Sequence, residues 1–187
     1  MAIRNVNPTK LVHRTAKELG SDKSLAPPSW AAFAKTSAGR ERVPMQENWW
    51  HIRSAAILRK ISVMGPIGTI KLKKKFGGTK NKGYTPDQWK PGSGAIVRKI
   101  LQQLEKAGFA KQTAKGVHKG RIITPKGQKL LDKVATEIMK EENVVIPAKP
   151  KGVVLKVDKP KKAVKKKSPV KRKTTKKAAV AEETAAE

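Results

Sequence analysis

Apolar residues recur at helical spacing along much of the chain. The clearest pattern runs from Asn48 to Met64, where Trp50, Ile57 and Ile61 fall on one side of a helix that turns by about 100° per residue. A Gly-Pro pair follows directly and is expected to end this helix. Similar stripes predict further helices at residues 8–19, shortly after Ser29, at 67–76 with Ile67, Ile70 and Leu72 inward, at 93–107, and from Pro125 onward.

Two short strands are predicted between the last two helices. Phe109–Thr113 and Arg121–Thr124 flank a loop rich in Gly and Lys at 115–120. Residues 77–94 are dense in Gly, Lys and Pro and are predicted to form a loop. The order helix, short helix, helix, hairpin, helix predicts a mainly α fold. Its core is a winged helix-turn-helix with a small two-stranded β-hairpin wing and extra N-terminal helices.

The charge of the chain indicates what kind of partner it binds. The 187 residues contain 43 Lys+Arg and 14 Asp+Glu, a formal net charge of +29. Such a chain repels itself unless a polyanion neutralises it, and nucleic acid is the abundant candidate. The composition also shifts near residue 143. The pattern predicts a folded domain over residues 1–142. Residues 143–187, with 14 basic and 4 acidic residues, are predicted to be a disordered Lys/Ala/Pro-rich basic tail.

Several function classes have no support in the sequence. The absence of cysteine excludes disulfides, thiolate zinc sites and a thiol nucleophile, and the three histidines lie in separate elements. The segment 78–85 approaches a nucleotide-binding P-loop, but Tyr84 stands where that loop needs its lysine. We therefore expect no enzyme, no metal, no cofactor and no small-molecule substrate. Apolar runs are too short to cross a membrane, and no leader is apparent, so an intracellular protein without membrane partners is expected.

Five motifs, in order along residues 1–140, resemble one family. The sequence is similar to the S19e family of small-subunit ribosomal proteins, of the archaeal and eukaryotic type. The paired tryptophans and the LEKAG stretch at 104–108 resemble the archaeal form. The tail beyond residue 143 has no counterpart in this resemblance. The motifs are NWWHIR at 48–53, GPIG at 65–68, FGGTKNKG at 76–83, IVRKILQQLE at 96–105 and ITPKGQ at 123–128.

The resemblance implies a function and a location. Members of the family have a helical domain with a winged-helix core. They sit on the head of the small ribosomal subunit in the cytoplasm, against ribosomal RNA and neighbouring head proteins, and are needed for subunit assembly and maturation. The family's RNA-facing basic positions correspond here to Arg53, Arg59, Arg98 and Lys99. Lysine at position 99 keeps the charge but not the planar fork of arginine.

Further candidates follow from clustered charge near glycines, which let a backbone approach phosphates. Among the aromatic residues, Trp50 is assigned to the core and Trp49 stays open, while Trp89, in the same loop as Tyr84, is the best candidate for stacking on a base. The additional RNA-binding residues predicted in this way are Lys60, Lys71, Lys73, Lys74, Lys75, Lys80, Lys82, Lys119 and Arg121.

Two other functions stay open at this point. A winged helix followed by a Lys/Ala/Pro tail is also the layout of linker histones, so a DNA-binding or chromatin-like protein is the main alternative. The second is a regulator that acts away from the ribosome. Basic residues predicted on several faces favour a protein wedged among RNA helices over one that lies on a single duplex.

Overall fold

The predicted long helix after Asn48 lies at the centre of the hydrophobic core. Helix α2, Trp49–Met64, packs against three other helices, at Pro8–Gly20, Gly94–Lys106 and Pro125–Glu141. Its apolar stripe is fully buried at Trp50, Ile57, Leu58 and Ile61. The helix therefore forms where the stripe predicts it, because burial of that stripe is its main source of stability.

The computed structural model describes residues 2–115 and 118–142, so the predicted disordered tail, 143–187, lies outside the described residues. Short 3₁₀ turns occur at Ala2–Arg4, Lys23–Leu25 and Ser29–Phe33. The other elements are α1 Pro8–Gly20, α3 Thr69–Lys75, β1 Gly78–Lys82, β2 Thr85–Lys90, α4 Gly94–Lys106, β3 Ala110–Lys115, β4 His118–Ile123 and α5 Pro125–Glu141.

The helix starts follow the residues that cap them. Ser93 accepts a hydrogen bond from the Ile96 amide at 3.5 Å and begins α4. Thr124 accepts one from the Gly127 amide at 3.3 Å, with Pro125 in the first turn of α5. These side chains satisfy amides that have no partner within the helix. The predicted helices at 93–107 and from Pro125 are confirmed.

The winged-helix arrangement is confirmed, with one change near its second helix. The three helices are α2, α3 and α4, and β3 pairs with β4 as the antiparallel wing. Ile67 pairs in extended conformation with Arg121 on β4, through hydrogen bonds of 3.1 and 3.0 Å. This pairing delays the start of α3 to Thr69. The predicted inward position of Ile70 is wrong, since the side chain is 71% exposed, whereas Ile67 and Leu72 are buried.

The predicted loop at 77–94 is wrong for most of its length. Strands β1 and β2 form a second antiparallel hairpin, inserted between α3 and α4. Every residue from Thr79 to Trp89 is exposed, so no alternation of buried and polar positions marks these strands. The turn between β1 and β2 is stabilised by its own residues. Gly83 has a φ of 73°, and its amide donates to the Asn81 side chain at 2.7 Å. The wing strands also extend into the predicted 115–120 loop.

The wing is held against the core at a position that admits only glycine. A Cβ atom on Gly120 would lie 2.7–2.8 Å from the backbone of Ile67. That backbone is fixed by its two hydrogen bonds to Arg121, so it cannot retreat without breaking them. We expect Gly120→Ala to lower the free energy of unfolding by about 1–3 kcal/mol, measured by urea or thermal unfolding. Gly20→Ala is the control, because nothing lies within 4 Å of a Cβ there. Equal stability of the two variants would contradict this view of the wing.

Candidate nucleic-acid interface

Two cationic side chains from α2 converge on one aromatic ring that follows α3. The guanidinium carbon of Arg53 lies 4.4 Å from the centre of the Phe76 ring, and Nζ of Lys60 lies 5.5 Å from it. Both contacts are within the range of cation–π attraction. We call Arg53, Lys60 and Phe76 the Phe76 cluster. It fixes the positions of two long side chains that would otherwise be mobile.

The electrostatic environment of this cluster opposes its positive charges. Burial lowers the pKa of Arg53, and the nearby charge of Arg40 lowers it further. Burial likewise lowers the pKa of Lys60, with further contributions from Lys75 and Arg59. Like charges from α2, α3 and the 39–42 loop therefore accumulate here. A bound polyanion would relieve this repulsion.

Carboxylates compensate positive charge mainly at another part of the molecule, between α1 and α5. Lys10 pairs with Glu142 at 2.6 Å, Arg14 pairs with Glu141, and Lys133 lies 3.4 Å from Glu18. Among the residues predicted to bind RNA, only Arg121 has a carboxylate partner within the described part of the chain. Positive charge is thus left uncompensated on α2, α3, α4 and the β1–β2 hairpin.

A cleft beside the Phe76 cluster adds two arginines that were not among the predicted RNA-binding residues. It has a volume of about 360 Å³ and is lined by Arg40, Arg42 and Arg53, with Trp49 also on its wall. Trp49 is half-buried and meets the ring of Trp50 edge-on, with centroids 5.3 Å apart. In the sequence, the two arginines on either side of Glu41 mark a basic loop. Only the fold brings that loop next to α2.

The predicted residues occupy several neighbouring elements and do not all share one cluster. Arg53, Arg59 and Lys60 are half-buried on α2, whereas Arg98 and Lys99 are exposed on α4. Of these residues, the Phe76 cluster contains only Arg53 and Lys60, and the charges of Lys75 and Arg59 act on Lys60. The remaining predicted residues lie at Lys71, Lys73, Lys74 and Lys75 on α3, Lys80 and Lys82 on β1, and Lys119 and Arg121 on β4.

Arg121 has a role inside the fold. Its Nε donates to Glu105 Oε1 at 2.7 Å, and its side chain is only 18% exposed. Glu105 lies near the end of α4, so this pair fastens the wing to that helix. The planar guanidinium makes a second contact with the same carboxylate at 3.5 Å. Arg121 therefore offers less charge to a ligand than its exposed neighbour Lys119.

The aromatic residues lie in three places: the hydrophobic core, the end of the β1–β2 hairpin that joins the domain, and the tip of that hairpin. Trp50 is fully buried, as predicted, and its Nε1 donates to Gln103 Oε1 at 2.9 Å. Trp89 is 48% exposed, and part of its indole lies against Gly77 at the base of the β1–β2 hairpin. Tyr84 stands at the tip of that hairpin and is completely exposed. Trp89 thus belongs to the base of the hairpin and Tyr84 to its outermost point.

Two other kinds of site, a metal centre and a membrane-spanning helix, do not occur within the described residues. No group of three or more His, Asp or Glu side chains there could hold a metal ion. None of the described helices is long and apolar enough to cross a membrane.

The fold places the chain among winged-helix proteins, with a second hairpin inserted between its helices α3 and α4. The chain belongs to the family described as Ribosomal protein S19e, whose model matches residues 2–141. This agrees with the resemblance of the five sequence motifs. The family is structural and is not known for an enzymatic activity.

Three relatives illustrate the range of similarity, all of them named small ribosomal subunit protein eS19 or eS19A. The protein of Aeropyrum pernix is 42% identical over 133 residues, which cover 70% of this chain and 85% of the relative. That of Haloarcula marismortui is 37% identical, covering 73% and 90%. That of Schizosaccharomyces pombe is 32% identical, covering 76% and 97%. The predicted archaeal type is confirmed by the similarity to archaeal relatives.

Proposed function

We propose that this protein is a structural component of the small subunit of the cytoplasmic ribosome. In this proposal it binds ribosomal RNA in the subunit head, beside neighbouring head proteins, and supports subunit assembly and maturation. The observation that carries the proposal is the uncompensated positive charge around the Phe76 cluster. The family to which the chain belongs supports the ribosomal setting.

Binding in this proposal acts mainly on phosphates. Arg53 and Lys60 are held in place by Phe76, so little side-chain freedom is lost when a phosphate arrives. Arg40 and Arg42 extend the same surface across the cleft. Lysine ammonium groups neutralise phosphates without reading sequence, and the position of the protein then depends on the shape of the RNA.

The arrangement of charge argues against the chromatin-like alternative. A winged helix on duplex DNA presents its third helix and wing to the groove and backbone. Here Arg121 of the wing is paired with Glu105, and the uncompensated charge extends to α2, α3 and the 39–42 loop. A surface that continues around several elements fits a folded RNA with helices on more than one side.

Salt dependence tests the phosphate-binding part of the proposal. We expect the full chain to bind a transcript of the head region of small-subunit ribosomal RNA with a log–log salt slope of about −4 or steeper. That slope corresponds to five or more phosphates at about 0.7–0.9 each. Fluorescence anisotropy of labelled RNA measures it, and duplex DNA of equal length is the control. An affinity that does not change with salt, or tighter binding to the DNA, would contradict the proposal.

Sedimentation of cell extracts tests the ribosomal part. We expect the protein to travel with small subunits, to be released by ribonuclease, and to stay bound after deoxyribonuclease. Release by deoxyribonuclease alone would support the chromatin-like alternative instead.

A further inference from the structure

The β1–β2 hairpin has no fully buried residue, although the 39–42 loop lies against it at Thr79 and beside Asn81 and Asp87. Only its end residues, Gly78 and Lys90, are partly buried, and the residues between them are all exposed. An isolated two-stranded hairpin has marginal stability in water, because no apolar face holds it. The hairpin therefore contributes little to the core. Its shape and surface require another explanation.

The tip of this hairpin presents an aromatic ring among positive charges. Lys82 pairs with Thr85 across the turn, and Tyr84 lies between them in sequence. Lys80 and Lys82 on β1 have no carboxylate partner among the described residues. The tyrosine hydroxyl and ring make no contact that stabilises the fold, since the side chain is completely exposed. The flanking charges favour a polyanion over an apolar protein groove.

We propose that Tyr84 stacks on an unpaired nucleobase of the bound RNA. This inference rests on the proposed function, because it assumes that the polyanion is RNA. It also transfers the stacking role from Trp89, whose indole lies partly against Gly77, to the residue at the tip. Lys80 and Lys82 contact the phosphates on either side, and the ring covers one face of the base. RNA loops and bulges offer splayed bases of this kind.

Stacking of this type tolerates any base because every base has a π-face. The hairpin therefore recognises the presence of an unpaired nucleotide at a fixed distance from the phosphate-binding surface on α2 and α3. Stacking by Tyr84 thus depends on the shape of the RNA, whereas the basic residues neutralise its phosphates. The salt slope of binding reports the charges, whereas the affinity at fixed salt reports the ring as well.

Nuclear magnetic resonance observes the proposed contact directly. The chain contains one tyrosine, so selective labelling of tyrosine rings gives the signals of Tyr84 alone. The probe is the transcript of the head region of small-subunit ribosomal RNA, added to the full chain. We expect the ring protons to move upfield, because they enter the shielding zone of a stacked base. Ring signals that stay unchanged while the RNA binds would overturn the inference and leave the proposed function intact.

Substitutions test the energetic consequence. We expect Tyr84→Ala to weaken binding of this transcript by roughly 5- to 150-fold at fixed salt, with the salt slope unchanged. Tyr84→Phe keeps the ring and should bind like the parent. Tyr84→Leu keeps apolar bulk without a π-face and should resemble Tyr84→Ala. Phe33→Ala is the matched control, because Phe33 is an aromatic residue that is 85% exposed outside the hairpin.

The other outcomes are also decisive. If Tyr84→Ala binds the transcript as tightly as the parent does, the inference is overturned. A defect of Tyr84→Ala and Tyr84→Leu that appears only in incorporation into the subunit would then indicate a protein partner. Failure of the parent chain to bind the transcript at all would refute the proposed function, and the stacking inference with it. None of these variants alters the core, so thermal unfolding of each should match that of the parent.

Discussion

Replacing Trp50 with alanine is expected to lower the free energy of unfolding by about 3–5 kcal/mol. Trp50 is fully buried and meets Trp30 and Trp49 edge-on, with ring centroids 5.7 and 5.3 Å away. Its removal leaves a cavity at the start of α2 and deprives Gln103 of the indole donor at 2.9 Å. Urea unfolding of the full chain measures the loss.

Two controls separate volume from hydrogen bonding in this experiment. Trp50→Phe refills much of the space but leaves Gln103 Oε1 without its donor, so an intermediate loss is expected. Gln103 still donates to the Ala26 carbonyl at 2.6 Å in that variant. Phe33→Ala removes an aromatic ring that is 85% exposed and should leave stability nearly unchanged. A Trp50→Ala chain that unfolds like the parent would refute the placement of this ring in the core.

The long helices could be predicted because two independent signals agree at each of them. Helix α4 has both an apolar stripe and Ser93 as its cap, and α5 has a stripe with Thr124 and Pro125 at its start. Helix α3 lacks this agreement. It has seven residues, too few to define a period, and Ile67 before it is drawn into a strand pairing with Arg121. A pairing between residues so distant in sequence produces no recognisable pattern in the sequence around either of them.

The inserted hairpin cannot be predicted from the sequence pattern for a related reason. Sequence patterns detect a strand by its buried face, and β1 and β2 have none. The turn chemistry at Asn81 and Gly83 is a local signal for a hairpin. An Asn side chain can accept a hydrogen bond from the amide two residues later, and glycine tolerates the positive φ of the turn. That signal was present within the predicted loop. It distinguishes a turn from an irregular segment only when the flanking residues are also recognised as strands.

For the candidate interface, residue types predict the charge but not its pairing. Arg121 and Lys119 look equivalent in sequence, yet only Arg121 meets Glu105. Arg40 and Arg42 lie in a loop before α2, and the fold brings them to the cleft that contains Arg53. These relations depend on tertiary packing, which no periodicity encodes. The extent of uncompensated charge therefore becomes visible only in three dimensions.

A double charge reversal on α4 is expected to impair RNA binding more than any single change at the interface. Arg98 and Lys99 are adjacent, exposed and without carboxylate partners among the described residues. In Arg98→Glu/Lys99→Glu, two cations become anions that repel phosphate. We expect the salt slope of binding to fall by about two, about one for each lost contact, with weaker binding to all RNA sequences. Anisotropy titrations at several salt concentrations measure both effects.

Helix α4 gives a cleaner test than the Phe76 cluster. Arg53→Glu would place a carboxylate in a half-buried site against Phe76, so a loss of binding there would be mixed with a loss of stability. The α4 variant should unfold within about 0.5 kcal/mol of the parent, because neither side chain packs in the core. Its matched control is Lys129→Glu/Lys140→Glu on α5, which makes the same change in net charge at two exposed positions. If both variants lost affinity equally, net charge rather than the α2–α3–α4 surface would govern binding, and the proposed interface would be wrong.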